Sequence, residues 1–279
     1  MSARTPAVST GAAEAAEAVE RGPGGGRRTA VVTGAARGIG HSIARRLVAE
    51  GWNVLLSDVD RSVTAAARAL DGSGLRTAAV VADVSRPRDA ARMAEAAVDA
   101  FGGVDALVAN AAVGGPDTPL LDTDDDAIRR VFEVNFFGVL HCVQAVRPLL
   151  ADEGSRGRIV VIGSLFAQQP TPGAGAYSAS KAAVHSLMRT LSLELAPHCT
   201  VNAVAPGYVM TEMHREELDS RARRAGRSFE QERDGLAAQV PLRRHGAGSD
   251  IADAVHYLLS GADYVTGQTL NVNGGVLTS

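Results

Sequence analysis

Tyr177 and Lys181 stand four residues apart in the segment AYSASKAA (176–183). On a helix, side chains at positions i and i+4 share one face, so this spacing sets an ammonium group beside a phenol. A tyrosine has a reference pKa of about 10, and bringing it close to neutrality needs about 4 kcal/mol of differential stabilisation of the phenolate. A nearby ammonium group supplies part of that stabilisation. The pair therefore predicts an acid–base centre that moves the proton of a hydroxyl group.

Lys181 is the only lysine in a chain with 28 lysine and arginine residues. Abundant arginine, alanine and glycine indicate a GC-rich coding bias, which exchanges lysine for arginine wherever only charge matters. An ammonium group is a compact point charge with three donors, whereas guanidinium is a planar fork that keeps its proton. Retention of lysine at this position indicates that geometry and proton handling matter there. The alternative is chance survival of one lysine, which the neighbouring Tyr177 disfavours.

A glycine-rich segment, TGAARGIG (33–40), follows the first apolar run of the chain. With Gly34, Gly38 and Gly40 in a turn that opens a helix, backbone amides and the positive helix end face a pyrophosphate without an intervening Cβ. The spacing is G-x-x-x-G-x-G, and tight turns also use glycine for steric reasons alone. Its position after the first strand of a βαβ unit favours dinucleotide binding.

Three acidic residues follow the next two apolar runs. Asp58 closes the second run about 20 residues after the glycines, where a carboxylate bonds the ribose hydroxyls of a dinucleotide. Asp60 is interpreted as a solvated loop residue. Asp83 follows the third run, and it either caps a turn or contacts an adenine ring.

Short apolar runs alternate with longer helical patterns from Thr29 onward, which is typical of a parallel sheet with helices on both faces. Because these runs lack polar alternation, we expect each strand to be buried on both faces. We therefore predict one α/β domain at 29–279, a Rossmann-like doubly wound fold. The predicted strands lie at 29–33, 53–57, 77–81, 105–109, 158–163, 199–205 and 268–272.

Composition excludes several classes of function. The formal net charge of -3 and the mixed charges give no basic patch for nucleic acid, and no apolar stretch approaches the roughly 20 residues of a membrane span. Cys142 and Cys199 match no metal-ligand spacing, so we predict no metal site and a cytoplasmic location. Residues 1–28 combine scattered glutamates with a triple glycine, which predicts a disordered extension.

Several motifs occur in order along the chain: TGAARGIG, Asp83-Val84, ANAA at 109–112, Asn135 in VNFFG, Ser164 in IGS, YSASK at 177–181, and Pro206-Gly207. In this order and spacing the chain resembles the short-chain dehydrogenase/reductase family over nearly all of its length after the extension. It departs at ANAA, where many members have NNAG, and at Gly163, where many have serine.

The resemblance implies a nicotinamide cofactor, a catalytic centre of Ser164, Tyr177 and Lys181 assisted by Asn135, and a dimer or tetramer. Taken alone, a mid-helix asparagine is more often a satisfied buried amide, and a serine at a strand end often caps a turn. Thr211 is expected at the nicotinamide carboxamide. The full set expected at the cofactor is Gly34, Arg37, Gly38, Ile39, Gly40, Asp58, Asp83, Val84, Asn110, Tyr177, Lys181, Pro206, Gly207, Val209 and Thr211.

Two residues pull the cofactor preference in opposite directions. In the resembling family, a basic residue at the position of Arg37 often meets the 2′-phosphate of NADP. Asp58 faces the same phosphate, and two like charges near 4 Å cost about 4 kcal/mol at an effective dielectric constant of 20. The Arg37 side chain is able to turn toward Asp58 or solvent, whereas the repulsion between Asp58 and the 2′-phosphate remains. We therefore predict NAD(H).

The segment 208–240 is interpreted as a helical lid whose mixed charges lie on a solvated face. His185 is expected only to pack. The predicted activity is NAD-dependent interconversion of a secondary alcohol, of polyol, cyclitol or hydroxyketone type, and its ketone. The alternatives are an NADPH-dependent 3-oxoacyl carrier-protein or polyketide ketoreductase and a non-catalytic cofactor sensor. The expected pocket residues are Val113, Leu165, Phe166, Gln168, Tyr208 and Met213.

Overall fold

A computed structural model describes residues 27–150 and 157–278, so most of the predicted extension at 1–28 lies outside the described residues. Within them, seven parallel strands form one sheet in the order β3-β2-β1-β4-β5-β6-β7, which confirms the predicted fold class. The strands are β1 (Thr29–Thr33), β2 (Asn53–Asp58), β3 (Thr77–Val81), β4 (Ala106–Ala109), β5 (Gly157–Ile162), β6 (Cys199–Pro206) and β7 (Thr269–Val272).

Helices connect the strands and cover the sheet. They are α1 (Gly38–Ala49), α2 (Val63–Leu70), α3 (Pro87–Phe101), α4 (Asp125–Phe132), α5 (Gly138–Val146), α6 (Gly175–Glu194), α7 (Glu212–Ala225), α8 (Phe229–Gln239) and α9 (Gly248–Ser260). A π-helical turn at Glu133–Phe137 joins α4 to α5.

Two hydrophobic cores lie on opposite faces of the sheet. On one face, Ile43 and Leu47 of α1 pack with Leu259 of α9, and all three are fully buried. On the other face, Met93 of α3 packs with Met188 of α6. Since each central strand contributes side chains to both cores, its apolar run needs no polar alternation.

The expectation that every strand is buried on both faces is wrong for the two edge strands. β1, β4 and β6 are buried along their whole lengths, but only Thr77 of β3 is buried and β7 has no buried residue. An edge strand has one neighbour and partial helix cover, so its apolar side chains remain partly exposed. Val81 and Leu270 are examples.

The sheet has its topological switch point between β1 and β4, which pair in register from Ala30–Ala106 to Val32–Val108. From β1 the chain proceeds outward to β2 and β3, and from β4 it proceeds the other way. In open α/β sheets of this kind, ligands bind in the crevice beyond the carboxyl ends of the strands. The segments that leave β1 and β5 at this edge carry the glycine turn and Ser164.

Candidate active site

A cavity of about 730 Å³ opens at the carboxyl edge of the sheet. We call its two ends the glycine side and the tyrosine side. The glycine side includes residues 34, 37–39, 58–59, 82–84 and 110–112, and the tyrosine side includes residues 163–166, 177, 181, 208, 213–214, 216–217 and 220–221. The two sides belong to one continuous space. A ligand that occupies the glycine side is therefore open to the tyrosine.

The glycine side depends on backbone packing that excludes side chains. Gly34 has a left-handed φ of +64°, and a Cβ there would lie 2.9 Å from the Ala111 Cα. A Cβ on Gly40 would overlap the Gly34 carbonyl oxygen and lie 2.6 Å from Asn110 Nδ2. Asn110 Nδ2 donates to the carbonyl oxygens of Thr33 (2.8 Å) and Gly34 (3.0 Å). The side-chain amide of Asn110 thus stabilises the glycine turn, and these two bonds also hold Asn110 at the cavity wall.

Asp58 stands at the end of β2 and lines the cavity. Its Oδ2 accepts a hydrogen bond from the Ala36 backbone amide at 3.0 Å, which ties the carboxylate to the glycine turn. Arg37 turns away from it, because Nη1 pairs with Asp60 at 3.3 Å and Nε pairs with Glu212 at 2.9 Å. Asp60, expected to be only a solvated loop residue, therefore holds the arginine.

Other residues expected at the cofactor surround these groups. Asp83 Oδ1 accepts hydrogen bonds from the Ser85 amide (3.0 Å) and hydroxyl (2.6 Å), so it caps a turn as well as lining the cavity. Thr211 Oγ1 accepts from the His214 amide at 3.2 Å and caps α7. The remaining members that line the cavity are Gly38, Ile39, Val84, Pro206, Gly207 and Val209, whereas Gly40 does not line it and packs against Gly34.

Ser164 and Tyr177 meet on the tyrosine side. Ser164 follows β5 in an extended conformation, and its Oγ accepts a hydrogen bond from the Phe166 amide at 3.1 Å. The Ser164 side chain also lies close enough to Tyr177 to act on the pKa of Tyr177, which it lowers against the effect of burial. The turn-capping interpretation and the site interpretation of Ser164 are thus compatible. Two hydroxyl groups converge at one point of the cavity, where they can bind a substrate oxygen.

Lys181 lies one turn of α6 beyond Tyr177 and is buried. Its Nζ donates to the Ile162 carbonyl oxygen at 2.7 Å and lies 5.7 Å from the centroid of the Tyr177 ring. Burial lowers the pKa of Lys181 to about 8. The ammonium group therefore keeps its proton at neutral pH but loses it more easily than an exposed lysine.

The pKa of Tyr177 runs against the prediction made from its spacing to Lys181. Burial raises this pKa above its ordinary value, the Ser164 side chain opposes the rise, and the charge of Glu217 adds to it. The predicted lowering is therefore wrong for the side chains by themselves. Desolvation disfavours the phenolate more than Ser164 favours it, so the hydroxyl keeps its proton at neutral pH.

Asn135 lies in the π-helical turn, a departure from the plain helix that its sequence predicts. Its side chain is fully buried and satisfied: Oδ1 accepts from the Val113 amide (2.8 Å), and Nδ2 donates to the Val113 carbonyl oxygen and to Ser180 Oγ, both at 3.0 Å. Ser180 Oγ in turn donates to the Tyr177 carbonyl oxygen at 2.7 Å. Asn135 thus connects the loop after β4 to the helix that carries the tyrosine.

An aromatic wall extends from the tyrosine toward the lid segment. Phe166 contacts Tyr177 edge-on with ring centroids 6.3 Å apart, and Tyr208 contacts Phe166 in the same way at 6.2 Å. His214 stacks on Tyr208 at 5.8 Å. Val113, Leu165 and Met213 also line the cavity as predicted, but Gln168 does not, because its amide is bonded to Asn271 of β7.

The sequence prediction missed six residues of α7 that line the cavity: Glu212, His214, Glu216, Glu217, Ser220 and Arg221. The lid is helical as expected over α7 and α8, but the expectation that its charges lie on the solvated face is wrong for Glu217 and Arg221. Glu217 follows His214 by three residues and Arg221 follows Glu217 by four, so these three side chains share one helix face. That shared face was the signal available in the sequence.

Gly163 and His185, which lies one turn of α6 after Lys181, form a matched pair. A Cβ on Gly163 would overlap His185 Nε2 and lie 2.8 Å from its Cδ2. His185 is buried, its Nε2 has no hydrogen-bond partner, and burial lowers its pKa to about 4. The neutral imidazole therefore fills the space that a serine at 163 would need, which explains this departure from the family pattern.

Within residues 27–150 and 157–278, no group of three histidine, cysteine or acidic side chains is arranged to hold a metal ion. In the same part of the chain, no helix is both long and apolar enough to cross a membrane.

A family model described as enoyl-(acyl carrier protein) reductase matches residues 34–277. The chain belongs to the short-chain dehydrogenase/reductase family. It is 36% identical over 253 residues to a 3-oxoacyl-[acyl-carrier-protein] reductase of Staphylococcus epidermidis, covering 89% of this chain and 98% of the relative. It is 32% identical to the diacetyl reductase [(S)-acetoin forming] of the same species, covering 90% and 98% of the two chains.

Solved structures show the same likeness. An actinorhodin polyketide ketoreductase with NADPH superposes with a TM-score of 0.85 at 35% identity, covering 89% and 97% of the two chains. A 3-ketoacyl-(acyl-carrier-protein) reductase from Brucella melitensis complexed with NADH gives 0.78 at 29% identity, covering 89% and 98%. An NAD+-bound xylitol dehydrogenase gives 0.83 at 30% identity, covering 89% and 98%.

These comparisons establish an oxidoreductase of the family that acts on alcohol or ketone groups with a nicotinamide cofactor. The predicted oligomer and cytoplasmic location stay predictions.

Proposed function

We propose that this protein is an NAD(H)-dependent ketoreductase that reduces a ketone to a secondary alcohol. The observation that carries the proposal is the convergence of Ser164 and Tyr177 at one end of a cavity whose other end is the glycine turn. The curated relatives named as reductases of 3-oxoacyl groups and of diacetyl support ketone reduction over the polyol interpretation of the sequence. Polyol or cyclitol oxidation is the second candidate, and the likeness to a xylitol dehydrogenase favours it.

The glycine side fits a dinucleotide. Gly34 and Gly40 leave no room for a Cβ, and Arg37 caps the start of α1 with extended backbone, so the amides of the turn remain close to the cavity. Asp58 would accept the ribose hydroxyls, and Asp83 and Val84 would border the adenine. Pro206, Gly207 and Thr211 would border the nicotinamide. When bound, that group supplies or accepts the hydride.

Each residue of the tyrosine side has a role in the reduction. Ser164 donates a hydrogen bond to the carbonyl oxygen and polarises it, and Tyr177 gives that oxygen its proton. Because burial raises the pKa of Tyr177, the tyrosine holds a proton at neutral pH, as the acid of a reduction must. Lys181, with a pKa lowered to about 8, lies near enough to assist the return of that proton.

The proposal specifies NAD(H) because of how the structure uses the two competing charges. Arg37 is held by Asp60 and Glu212, so its charge is already neutralised. Asp58 is fixed at the cavity by the Ala36 amide. A 2′-phosphate near this carboxylate would meet a repulsion of about 4 kcal/mol at 4 Å and a dielectric constant of 20. The structures that resemble this chain carry NADH, NADPH or NAD+, so the preference rests on this chain's own residues.

A non-catalytic cofactor sensor is disfavoured because Asn135, Ser164, Tyr177 and Lys181 are all present and connected. The experiment is a screen of ketones, 3-oxoacyl thioesters and polyols with both cofactors, with kcat/KM measured for the best substrate. We expect a preference for NADH over NADPH in the native protein. We expect Asp58→Ser to shift the ratio toward NADPH by about tenfold or more, since the opposing charge is removed.

The matched control is Asp253→Ser, which removes an equal charge from an exposed side chain that pairs with Arg46 and does not line the cavity. It should leave the preference for NADH in place. A native preference for NADPH, or an equal shift in both variants, would contradict the cofactor assignment. Turnover of polyols alone, with no ketone reduced at a comparable rate, would favour the second candidate.

A further inference from the structure

We propose that Glu217 is a specificity-determining residue: it accepts a hydrogen bond from a hydroxyl group of the substrate, so that the cavity selects neutral, hydroxyl-bearing ketones. The proposal rests on the proposed function, since it concerns the substrate of the same site. It assigns to α7 a part in recognition that the sequence motifs of the family do not cover.

Ion pairs at both ends of α7 link the helix that carries Glu217 to segments on either side of the cavity. Glu212 in its first turn pairs with Arg37 of the glycine turn at 2.9 Å. Arg224 in its last turn pairs with Asp117 of the loop after β4. These contacts hold the helix across the cavity mouth. The face that carries His214, Glu217 and Arg221 therefore lies toward the substrate space.

The carboxylate of Glu217 is oriented and ionised. Oε2 accepts from His214 Nδ1 at 3.0 Å, and Oε1 accepts from Arg221. Burial acts to raise the pKa of Glu217, but the hydrogen bond from His214 and the charge of Arg221 outweigh it and lower that pKa. Each carboxylate oxygen has two lone pairs, so each retains one after these bonds. An ionised carboxylate only accepts, and it therefore selects a donor on the ligand.

Glu217 also lies within electrostatic reach of the reacting group, because its charge contributes to the raised pKa of Tyr177. The rings of Phe166 and Tyr208 bridge the space between the tyrosine and α7 and offer apolar contact to a carbon skeleton. A ketone whose oxygen meets Ser164 and Tyr177 would thus have one side of its carbon skeleton toward Glu217. A hydroxyl group on that side would have the Glu217 carboxylate as its acceptor.

Anionic substrates are disfavoured by the pairing of the arginines. The three arginines that line the cavity each have a carboxylate partner: Arg37 with Glu212, Arg130 with Asp83, and Arg221 with Glu217. A substrate carboxylate or phosphate near α7 would meet the charge of Glu217, while the charge of Arg221 is already neutralised. A neutral hydroxyl group meets no such repulsion.

The test uses three four-carbon ketones that differ on one side of the carbonyl: butanone, acetoin with a hydroxyl group on the adjacent carbon, and acetoacetate with a terminal carboxylate. NADH oxidation gives kcat and KM for each. We expect the native protein to prefer acetoin over butanone by about tenfold or more, since a site built to bond a hydroxyl group rejects an analogue that lacks it. Glu217→Gln should reduce this ratio about tenfold, mainly through KM for acetoin, with little change for butanone.

Glu217→Ala frees Arg221, so it should raise kcat/KM for acetoacetate relative to acetoin by about tenfold. The control is Asp219→Asn, which removes one negative charge from the same helix at a side chain paired with Arg223 outside the cavity. It should leave all three ratios unchanged. Equal native rates with acetoin and butanone, or a uniform loss on all three ketones in Glu217→Gln, would overturn the role of Glu217 alone. Failure to reduce any ketone with either cofactor would overturn the proposed function as well.

Discussion

The two sides of the cavity are built by different physical means. On the glycine side, backbone atoms pack so closely that a Cβ on Gly34 or Gly40 would overlap its neighbours. On the tyrosine side, the wall consists of side chains from distant segments, such as the rings of Phe166 after β5 and Tyr208 after β6, which contact each other. Where a Cβ would overlap the backbone, only glycine is tolerated. A position that takes part in charge pairing or aromatic packing tolerates several residue types.

From this difference we infer that the glycine side determines the type of reaction and that the tyrosine side determines the substrate. Partly exposed ion pairs such as Arg37–Glu212 contribute about 0 to 1 kcal/mol each, so α7 can be altered at small cost to the fold. Overlap with a backbone carbonyl cannot be relieved by turning a side chain. The glycine side therefore serves a constant ligand, and the tyrosine side allows the substrate to vary around a fixed Ser-Tyr-Lys centre.

The largest effect is expected from the hydroxyl group on which the chemistry of the tyrosine side depends. Tyr177→Phe should lower kcat by roughly a hundredfold to ten-thousandfold, because it removes the proton donor. Binding of NADH, measured by fluorescence titration, should remain because the glycine side is untouched. Tyr257→Phe, at an exposed position of α9, is the control. Loss of nucleotide binding in Tyr177→Phe would show that the two sides are not separable.

Lys181→Arg should retain the fold and lose turnover by about a hundredfold. The ammonium group is buried against the Ile162 carbonyl oxygen, and a planar guanidinium cannot take that place or give up a proton. Arg189→Lys, an exposed position on the same helix, makes the reverse exchange and should leave kcat unchanged. Near-native rates for Lys181→Arg across pH would favour chance survival of the single lysine.

Gly40→Ala tests the steric character of the glycine side. We expect a loss of about 3 kcal/mol in the free energy of unfolding and weaker NADH binding, because the new Cβ meets a backbone oxygen that cannot move freely. Gly235→Ala, also within a helix but with no atom near its Cβ position, should stabilise the protein by about 0.5 to 1 kcal/mol. Similar denaturation midpoints for both variants would contradict the comparison.

Gly163→Ser tests the contact between Gly163 and His185 on the tyrosine side, where the neighbouring group is a side chain that can move. The serine would overlap His185, and we expect a loss of about 2 kcal/mol in unfolding free energy. The double variant with His185→Ala should recover part of this loss, because it vacates the space. Urea denaturation of the two single variants and the double variant gives the coupling directly. Strictly additive losses would mean that the two residues do not form a matched pair.

The sequence by itself determined the features that depend on local spacing. Alternation of apolar runs and helical patterns predicts the parallel sheet, because buried strands and covering helices each need their own period. The glycine turn and the four-residue spacing of Tyr177 and Lys181 are equally local, and the structure brings them to one cavity with Ser164 and Asp58.

Only the tertiary structure decided what depends on surroundings. The exposure of β3 and β7 follows from their edge positions, which strand order fixes and composition does not. The raised pKa of Tyr177 follows from desolvation by segments far away in the chain, so spacing to Lys181 could not give its direction. Glu217 and Arg221 have the composition of a solvated helix face, and only the pairing of α7 with Arg37 and Asp117 shows that this face borders the cavity. Local periodicity can be recognised in the sequence itself. The burial and the charge environment of a residue depend on all the segments that the fold brings close to it.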